Sequence, residues 1–495
     1  EYRDISRFEE IVGVLIEEDF GHLLVDAGIL HSLSLFDRFL LHFARDLRPS
    51  WERLPQICER LGPTFIKLGQ VLSVRPDLLP PKFLRPLQRL QTSVSPVPYA
   101  AIQQRVEAEL GKPLGKVFAK FEKEPIASAS IAQVHRAWLK NGWCVAVKVK
   151  KPKVDQMFAV DIHILRHITA LLENQQRSLK QYKLSKLVDE FERWVVKETD
   201  FINEAQNLKT FHELYKDHHV LHVPKPYTKY CTGSLLIMEY FDGEPLNTLS
   251  SRQRDLRPVL RDAFTVCLEQ IFVHGKFHAD PHPGNILIGR DRGMALVDFG
   301  IVGEFDDDLK MQLVDIFYAV LENKPEDLMD VLLDMATDSD HVNYDELMRT
   351  VRMAVAEIQK GDVSEIRVGQ VFEDVLHSAV KNGIPIPREF VLFAKSLVLI
   401  EGLALAYYPH FDIVQETRPF IETLIKQRLK DEFSMKKVAK RVIDTTEKML
   451  ELPKQASRVL KKIESGSIRL HIEDTDIKRL AVEIDRSSNR IAFAT

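Results

Sequence analysis

The sequence predicts an α+β protein with two lobes, a small lobe that contains β-strands followed by a larger helical lobe. Two β-branched runs, "VAVKV" and "SLLIMEY", lie between about residues 116 and 240 and are typical of half-buried strands. After "FDGEP" the apolar pattern is mainly helical to about residue 425, apart from two short strand-like pieces, "NILIG" and "MALVD". A chain of 495 residues with 45% hydrophobic content is long enough to build both lobes.

We divide the chain into four segments. In chain order these are a helical N-terminal extension (1–115), the small lobe (116–243) with a helical insertion (154–215), the helical lobe (244–425) and a basic helical tail (426–495). Apolar residues such as Ile11 and Leu15 recur at helical spacing in the extension. From Lys426 to Lys462 the tail has 12 Lys or Arg against 5 Asp or Glu, so we expect it to be attracted to anionic lipid.

The cysteines and the hydropathy restrict the class of protein further. Cys58, Cys144, Cys231 and Cys267 lie far apart without C-x-x-C spacing, which favours buried thiols in a reducing compartment over disulfides or a zinc site. No run reaches the roughly 18 to 20 apolar residues that span a bilayer. We therefore expect a soluble chain, and a membrane segment beyond Thr495 stays open.

The stretch "FHADPHPGNILIGRDRGMALVDFG" carries the strongest chemical signal. Phosphoryl transfer needs hard oxygen ligands for Mg²⁺, and Asp298 in "DFG" and the amide oxygen of Asn285 can supply them. Asp280 can orient or deprotonate an attacking hydroxyl or water. Asp280, Asn285 and Asp298 follow one another at intervals of 5 and 13 positions. This spacing indicates a protein-kinase-like two-lobed fold.

Histidines in the same stretch offer a competing interpretation. His274, His278 and His282 are spaced by four, as in some metal sites. Because Pro281 and Pro283 break any helix that would align them, we instead expect His278 to bond to the backbone of the catalytic loop.

A lysine and the loop before it predict a nucleotide site. Lys148 alternates with apolar neighbours in "VAVKV", so a half-buried ammonium needs an anionic partner, either phosphates or Glu204 of "ETDFINEAQN". The preceding loop has alanines and serines where phosphate loops carry glycine, yet its backbone N–H groups can still donate. The candidate nucleotide-binding residues of this loop are Ala127, Ser128, Ala129, Ser130, Ile131, Ala132, Gln133 and Val134.

In "FIKLGQVL", Lys67 and Gln70 are three residues apart and share one helix face, which suits an acidic or phosphate-bearing surface.

The chain resembles the UbiB family, the aarF-domain-containing atypical kinases, over roughly residues 60 to 300. The resemblance is carried by six stretches, "KLGQ", "ASASIAQV", "AVKV", "ETD", "HADPHPGN" and "DFG". The resemblance implies that the N-terminal extension lies over the active site.

The resemblance also implies roles for single residues. Lys148 pairs with Glu204, and Lys67 lies in the active site near Glu198 and Asp200, while the three kinase positions keep their roles. Glu239, the last residue but one of "SLLIMEY", joins the expected nucleotide-binding residues.

For function, the resemblance implies a Mg²⁺-dependent, ATP- or ADP-binding atypical kinase or ATPase that supports isoprenoid quinone (ubiquinone-type) biosynthesis on the cytoplasmic side of a membrane. Expected partners are a nucleotide, an anionic membrane surface, and quinone-biosynthesis enzymes or lipid quinone precursors. Nucleic acid is not expected, and a homodimer is left open. Two alternatives are a small-molecule kinase of the aminoglycoside or choline kinase type, which "KLGQ" and "ASASIAQV" disfavour, and a nucleotide-binding pseudokinase scaffold.

Overall fold

The computed structural model describes residues 2–18, 20, 51–73, 86–87, 90, 96–175, 184–249, 256–289, 293–335, 342–360, 367–408 and 411–432. Residues 1–421 form one compact unit. Of a second unit, residues 422–495, the structure describes only the end of one helix, to Glu432. The basic segment from Lys426 to Lys462 therefore lies almost entirely outside the described residues.

The first three α-helices described in the N-terminal extension are α1 (Tyr2–Glu17), α2 (Leu54–Leu61) and α3 (Pro63–Leu72). Gly62 joins α2 to α3 at φ 91°, a left-handed conformation that favours glycine. Apolar side chains of α1 and α2, such as Ile11 and Ile57, pack with Ile164 of the helical insertion. Arg7 of α1 donates to Asp161, whose side chain is fully buried, so an ion pair also fastens the extension.

The small lobe is a four-stranded antiparallel sheet in the order β1-β2-β3-β5. Its strands are β1 (Phe118–Ser128), β2 (Ala132–Leu139), β3 (Cys144–Lys150) and β5 (Leu235–Glu239). Two helices, α4 (Tyr99–Leu110) and α5 (Leu114–Val117), cover one face through apolar contacts of residues such as Ile102 with Val147. The strands predicted at "VAVKV" and "SLLIMEY" are confirmed.

Three helices occupy the predicted insertion: α6 (Val154–Gln175), α7 (Leu184–Thr199) and α8 (Phe201–Tyr215). Buried aromatic residues, among them Phe158, Phe191 and Phe211, join these helices to the core that continues into the large lobe. Asp200 caps α8 by accepting a hydrogen bond from the Ile202 N–H at 3.0 Å. The helical prediction for this segment is confirmed.

Short strands of the large lobe lie beside the cleft. One sheet has the order β4-β9-β8-β6, and β7 pairs with β10. Their bounds are β4 (Leu221–His222), β6 (Gly243–Pro245), β7 (Lys276–His278), β8 (Ile286–Gly289), β9 (Met294–Leu296) and β10 (Val302–Glu304). The sequence predicted β8 and β9 but missed β4, β6, β7 and β10, because a strand of two or three residues is too short to show alternation.

Helices complete the large lobe: α9 (Arg257–Leu268), α10 (Asp307–Leu321), α11 (Pro325–Asp334), α12 (Tyr344–Lys360), α13 (Val368–Lys381), α14 (Arg388–Tyr407) and α15 (Ile413–Glu432). A single π-helical turn, Glu269–Val273, extends α9. Among the described residues, α14 is long and apolar enough to cross a bilayer, although the sequence analysis found no such run. Lys395 and Glu401 interrupt the run, and more than half of its most apolar stretch is buried in the protein.

Candidate active site

A cleft between the lobes encloses about 1100 Å³, open solvent included. Its walls come from the N-terminal extension, the small lobe and the large lobe together. The charged side chains that line it are Lys67, Lys148, Glu198, Glu204, Asp280, Asp298 and Lys395. Sequence analysis had selected all of these except Lys395.

Lys148 projects from the centre of β3 between two carboxylates. Its ammonium lies 2.7 and 2.9 Å from the two oxygens of Glu204 and 3.0 Å from Asp298. Although burial disfavours the ammonium, these two carboxylates outweigh that effect and raise the pKa of Lys148. The predicted pair is thus present despite 56 intervening positions, because α8 packs behind the sheet and brings Glu204 to β3.

Backbone hydrogen bonds hold the loop after β7 in a fixed shape. The carbonyl of Asp280 accepts from the His282 N–H at 2.7 Å and from the Asn285 amide nitrogen at 3.1 Å. His278 bridges this loop and the next, since Nδ1 accepts from the Asp280 N–H at 3.2 Å while Nε2 lies 3.1 Å from the Val297 carbonyl. Burial lowers the pKa of His278, so the ring is neutral and structural, as predicted.

Asp298 follows β9 in a left-handed backbone conformation, φ 64°, which is uncommon outside glycine. The next side chain, Phe299, is fully buried against Phe211 of α8, with ring centroids 4.8 Å apart. Asn207 of α8 also donates to the Phe299 carbonyl at 2.9 Å. The helix that presents Glu204 to Lys148 therefore also fixes the turn that presents Asp298.

The N-terminal extension supplies one wall of the cleft through α3, the helix that contains "KLGQ". Lys67 makes an ion pair with Glu198 at the end of α7, and its nitrogen lies 5.8 Å from the centre of the Trp194 ring. Burial raises the pKa of Glu198 even though Lys67 opposes this effect. Gln70 lines the cleft beside Lys67, whereas Asp200, also predicted here, is the cap of α8.

The alanine-rich loop is the turn between β1 and β2. Ala129, Ser130, Ile131 and Ala132 line the cleft, and the Ala129 N–H donates to the Ala132 carbonyl at 2.8 Å. The described residues that line the cleft do not include Ala127, Ser128, Gln133 or Val134. These four pair within the strands, and the register turns the Gln133 amide towards Val97, whose N–H donates to it at 2.9 Å.

Glu239 also lies outside the residues that line the cleft. Its carboxylate accepts from the Lys225 N–H at 3.2 Å and lies 3.2 Å from His222 Nε2. The His222 contact chiefly, with the Lys225 N–H, outweighs burial and lowers the pKa of Glu239. The side chain thus joins two strands beside the connector between the lobes.

Of the predicted core thiols, Cys58 is buried, whereas Cys144, Cys231 and Cys267 are intermediate in exposure. Burial raises the pKa of the Cys58 and Cys267 thiols to about 12. Such thiols stay protonated and unreactive at neutral pH.

Sequence analysis missed Lys395, which lies 3.0 Å from Asp280 Oδ1. Burial opposes ionisation of Asp280, but Lys395 outweighs it and holds the pKa of that carboxyl below its ordinary value. Lys395 comes from α14, 115 positions after Asp280, and a lone lysine in an apolar helix was the only signal in the sequence.

The donor set fits a magnesium ion. Because the Asn285 amide nitrogen donates to the Asp280 carbonyl, the amide oxygen is the atom left to face the cleft. The Asp298 side chain is 47% exposed, so its carboxylate is accessible from the cleft although it also contacts Lys148. A carboxylate and an amide oxygen, completed by phosphate oxygens and water, are ligands that Mg²⁺ accepts. Within the described residues, no cluster of three His, Cys, Asp or Glu is arranged to hold a metal by itself.

The fold and this cleft together define a kinase-like protein. Residues 89–332 match the model of the ABC1 atypical kinase-like domain, and residues 351–412 match the UbiB helical domain. The chain therefore belongs to the UbiB family of ABC1 atypical kinases.

Relatives from several organisms agree with this assignment. The "Probable protein kinase UbiB" of Cellvibrio japonicus is 31% identical over 448 residues, which is 89% of this chain and 81% of the relative. The "Uncharacterized protein in hydrogenase 1 5'region" of Clostridium pasteurianum is 29% identical over 494 residues, 99% of this chain and 90% of the relative. The chloroplastic protein "ACTIVITY OF BC1 COMPLEX KINASE 7" of Arabidopsis thaliana is 30% identical, covering 85% of this chain and 62% of the relative.

Proposed function

We propose that this protein is a Mg²⁺-dependent, ATP-binding enzyme that hydrolyses ATP or transfers its terminal phosphate to a small molecule. In this role it supports isoprenoid quinone biosynthesis at a membrane surface. The observation that carries the proposal is the placement of Lys148, which bridges Glu204 and Asp298 in the floor of the cleft. That arrangement holds a lysine for the α and β phosphates directly beside a carboxylate for the metal.

Each residue in the cleft has a chemical task in this proposal. Asn285 and Asp298 hold the metal, which neutralises charge on the β and γ phosphates when it is bound. Asp280 orients or deprotonates the attacking oxygen. Ser130 and Ile131, at the tip of the turn, line the cleft from the small lobe, where their backbone N–H groups can meet phosphate oxygens.

The position of α3 supports a small acceptor over a protein acceptor. The ion pair between Lys67 and Glu198 holds α3 along the cleft, and Lys67, Gln70 and Ser73 occupy its wall. A peptide substrate would have to displace that helix, whereas water or a small hydroxyl compound would not. The presence of α3 and of the alanine turn also argues against an ordinary small-molecule kinase of the aminoglycoside or choline kinase type.

The membrane and the quinone pathway enter the proposal through the family. Quinone precursors are lipids, and the basic segment from Lys426 to Lys462 would be attracted to anionic headgroups by about 1 kcal/mol for each charge near the surface. We therefore place the enzyme on the cytoplasmic side of a membrane, where it would meet quinone-biosynthesis enzymes or lipid quinone precursors. The intact set of Asp280, Asn285 and Asp298 favours catalysis over a pseudokinase scaffold.

The decisive experiment follows the label of [γ-³²P]ATP with purified protein and Mg²⁺, with and without vesicles of phosphatidylglycerol. We expect label in free phosphate or a small acceptor, more of it with anionic than with neutral vesicles, and little in generic peptides. Efficient peptide labelling would make this an ordinary protein kinase. Absence of Mg²⁺-dependent ATP binding would exclude an enzyme that uses ATP.

A further inference from the structure

Among the described residues that line the cleft, Lys395 is the charged residue to which neither the sequence analysis nor the family resemblance gave a role. It lies on α14, where its neighbours Ala394, Ser396 and Leu397 are buried. Its own side chain is 17% exposed and reaches the cleft beside Asp280. The Ser396 hydroxyl lies 3.3 Å from the His278 carbonyl, so α14 is anchored to the strand that leads into the catalytic loop.

Fold stability does not explain a lysine at this position. Most of the surrounding helix surface is apolar core, and a buried apolar side chain stabilises a packed helix at least as well as an ion pair does. The ammonium is instead directed towards a carboxylate that is 35% exposed to the cleft. A cation held at the edge of a cleft, next to the acid or base of the reaction, is placed where an anionic substrate arrives.

The catalytic loop itself has no cation to offer. From Asp280 to Asn285 the sequence is "DPHPGN", without lysine or arginine. In its present conformation His282 Nδ1 accepts a hydrogen bond from the Gly284 N–H at 3.1 Å. Among the described residues that line the cleft, the other two lysines contact different carboxylates, Lys148 in the floor and Lys67 in the opposite wall. Lys395 is the lysine that contacts Asp280. Negative charge that develops beside Asp280 is therefore nearest to Lys395.

We propose that Lys395 is a further catalytic residue, which binds the terminal phosphate of the nucleotide next to Asp280. In the transfer, the bond between the γ-phosphorus and the β–γ bridging oxygen breaks and its electron pair leaves with ADP. The oxygen of water or of an acceptor hydroxyl bonds to the phosphorus, and its proton passes to Asp280. Lys395 neutralises the oxygens of the transferred group during this exchange.

This proposal, which rests on the proposed function, gives the helical domain a chemical task. The UbiB helical domain, residues 351–412, contains α14, and the kinase-like domain, residues 89–332, contains every other candidate catalytic residue except Lys67. The helical domain would then complete the active site and not merely flank it. Glu401 of the same helix accepts from the N–H groups of Val368 and Gly369 at 2.7 and 2.9 Å, which ties α14 to the start of α13.

The test compares Lys395→Met and Lys395→Arg with the wild type by calorimetric titration with MgATP and with MgADP, and by phosphate release. If Lys395 contacts only the terminal phosphate, Lys395→Met should weaken ATP binding about 10-fold without weakening ADP binding, and should lower kcat about 100-fold. Lys395→Arg should recover part of kcat. Lys381→Met is the matched control, because that lysine pairs with Glu346 on the exposed surface, and it should behave as the wild type.

Three results would overturn the proposal. Equal weakening of ATP and ADP in Lys395→Met would show a structural effect. Wild-type kcat in that variant would show that the ammonium is not needed. If the wild type itself neither binds nor hydrolyses MgATP, the proposed function fails and this inference fails with it. Thermal unfolding checks that each variant folds, and should Lys395→Met not fold, Lys395→Gln takes its place in the same comparison.

Discussion

Glu204→Gln offers a quantitative test of how the lysine in the cleft floor is held. The Glu204 side chain is 3% exposed, and both of its oxygens contact Lys148. Burial raises the pKa of Glu204 from its ordinary value of 4.5 to about 7, although Lys148 opposes the rise. The folded protein therefore keeps a proton on Glu204 at pH values where the unfolded chain has lost it.

The sign and size of the effect follow from this difference. A group whose pKa is higher in the folded state stabilises most at low pH, and its contribution is lost as the pH rises from 4.5 to about 7. The loss is up to about 1.4 kcal/mol per pH unit, or roughly 3 kcal/mol over that interval. Glutamine does not titrate, so the variant lacks this dependence. Its amide nitrogen faces the Lys148 ammonium, which costs about 1 to 3 kcal/mol at every pH.

The assay is urea unfolding followed by tryptophan fluorescence between pH 5 and pH 8 at constant ionic strength. On lowering the pH from 8 to 5, the free energy of unfolding of the wild type should gain about 2 to 3 kcal/mol relative to Glu204→Gln. Glu213→Gln, at an exposed position of the same helix, is the control and should parallel the wild type. A difference between wild type and Glu204→Gln that is the same at pH 5 and pH 8 would refute this reasoning.

Three further predictions concern the metal, the acceptor and the "KLGQ" helix. Asp298→Asn removes a carboxylate from the metal position and should lower Mg²⁺-dependent ATP affinity about 10- to 100-fold in calorimetric titration; unchanged affinity would exclude Asp298 as a ligand. Lys67→Ala and Ala129→Gly should move label from [γ-³²P]ATP towards self-phosphorylation, measured as the partition between free phosphate and protein, and an unchanged partition would mean that neither residue restrains the acceptor. Gly69→Ala should lower the free energy of unfolding by about 1 to 3 kcal/mol, since a methyl group there would lie 2.4 Å from Leu90 Cδ1 and 3.2 Å from Cys58 Sγ; a thermal midpoint equal to that of wild type would contradict it.

The sequence was most informative where chemistry demands a partner. An ammonium in a buried strand requires an anion, which led to Glu204 across 56 positions, and the structure has that contact. It was less informative within the alanine turn, where all eight residues were assigned to nucleotide binding. Only the four residues at the turn, Ala129 to Ala132, line the cleft, and the other four pair along the strands. The direction of each side chain depends on the strand register, which the sequence pattern did not determine.

Lys395 shows why part of the site could not be predicted. Its local pattern is that of a core helix, and nothing in the stretch "LFAKSLVL" distinguishes a lysine that reaches a cleft from one that reaches solvent. Only the packing of α14 against the strand before Asp280 brings the two side chains together, through contacts such as Ser396 with His278. Such long-range packing depends on the whole lobe, and it leaves no sequence motif around Lys395 or Asp280 that would indicate their contact.

The charges in the cleft predict that nucleotide binding depends on a metal. Three lysines line it among the residues that the structure describes, and each faces carboxylates: Lys67 with Glu198, Lys148 with Glu204 and Asp298, and Lys395 with Asp280. Counted as ionised, these side chains sum to 3 − 4 = −1, so the described residues of the cleft offer no excess positive charge to a triphosphate. Each phosphate contact with a lysine is an exchange of one anionic partner for another, which gains little by itself. A divalent cation held by Asp298 and Asn285 would make the local charge positive. We therefore expect ATP binding to depend on Mg²⁺ much more steeply here than it would in a cleft built from unpaired lysines.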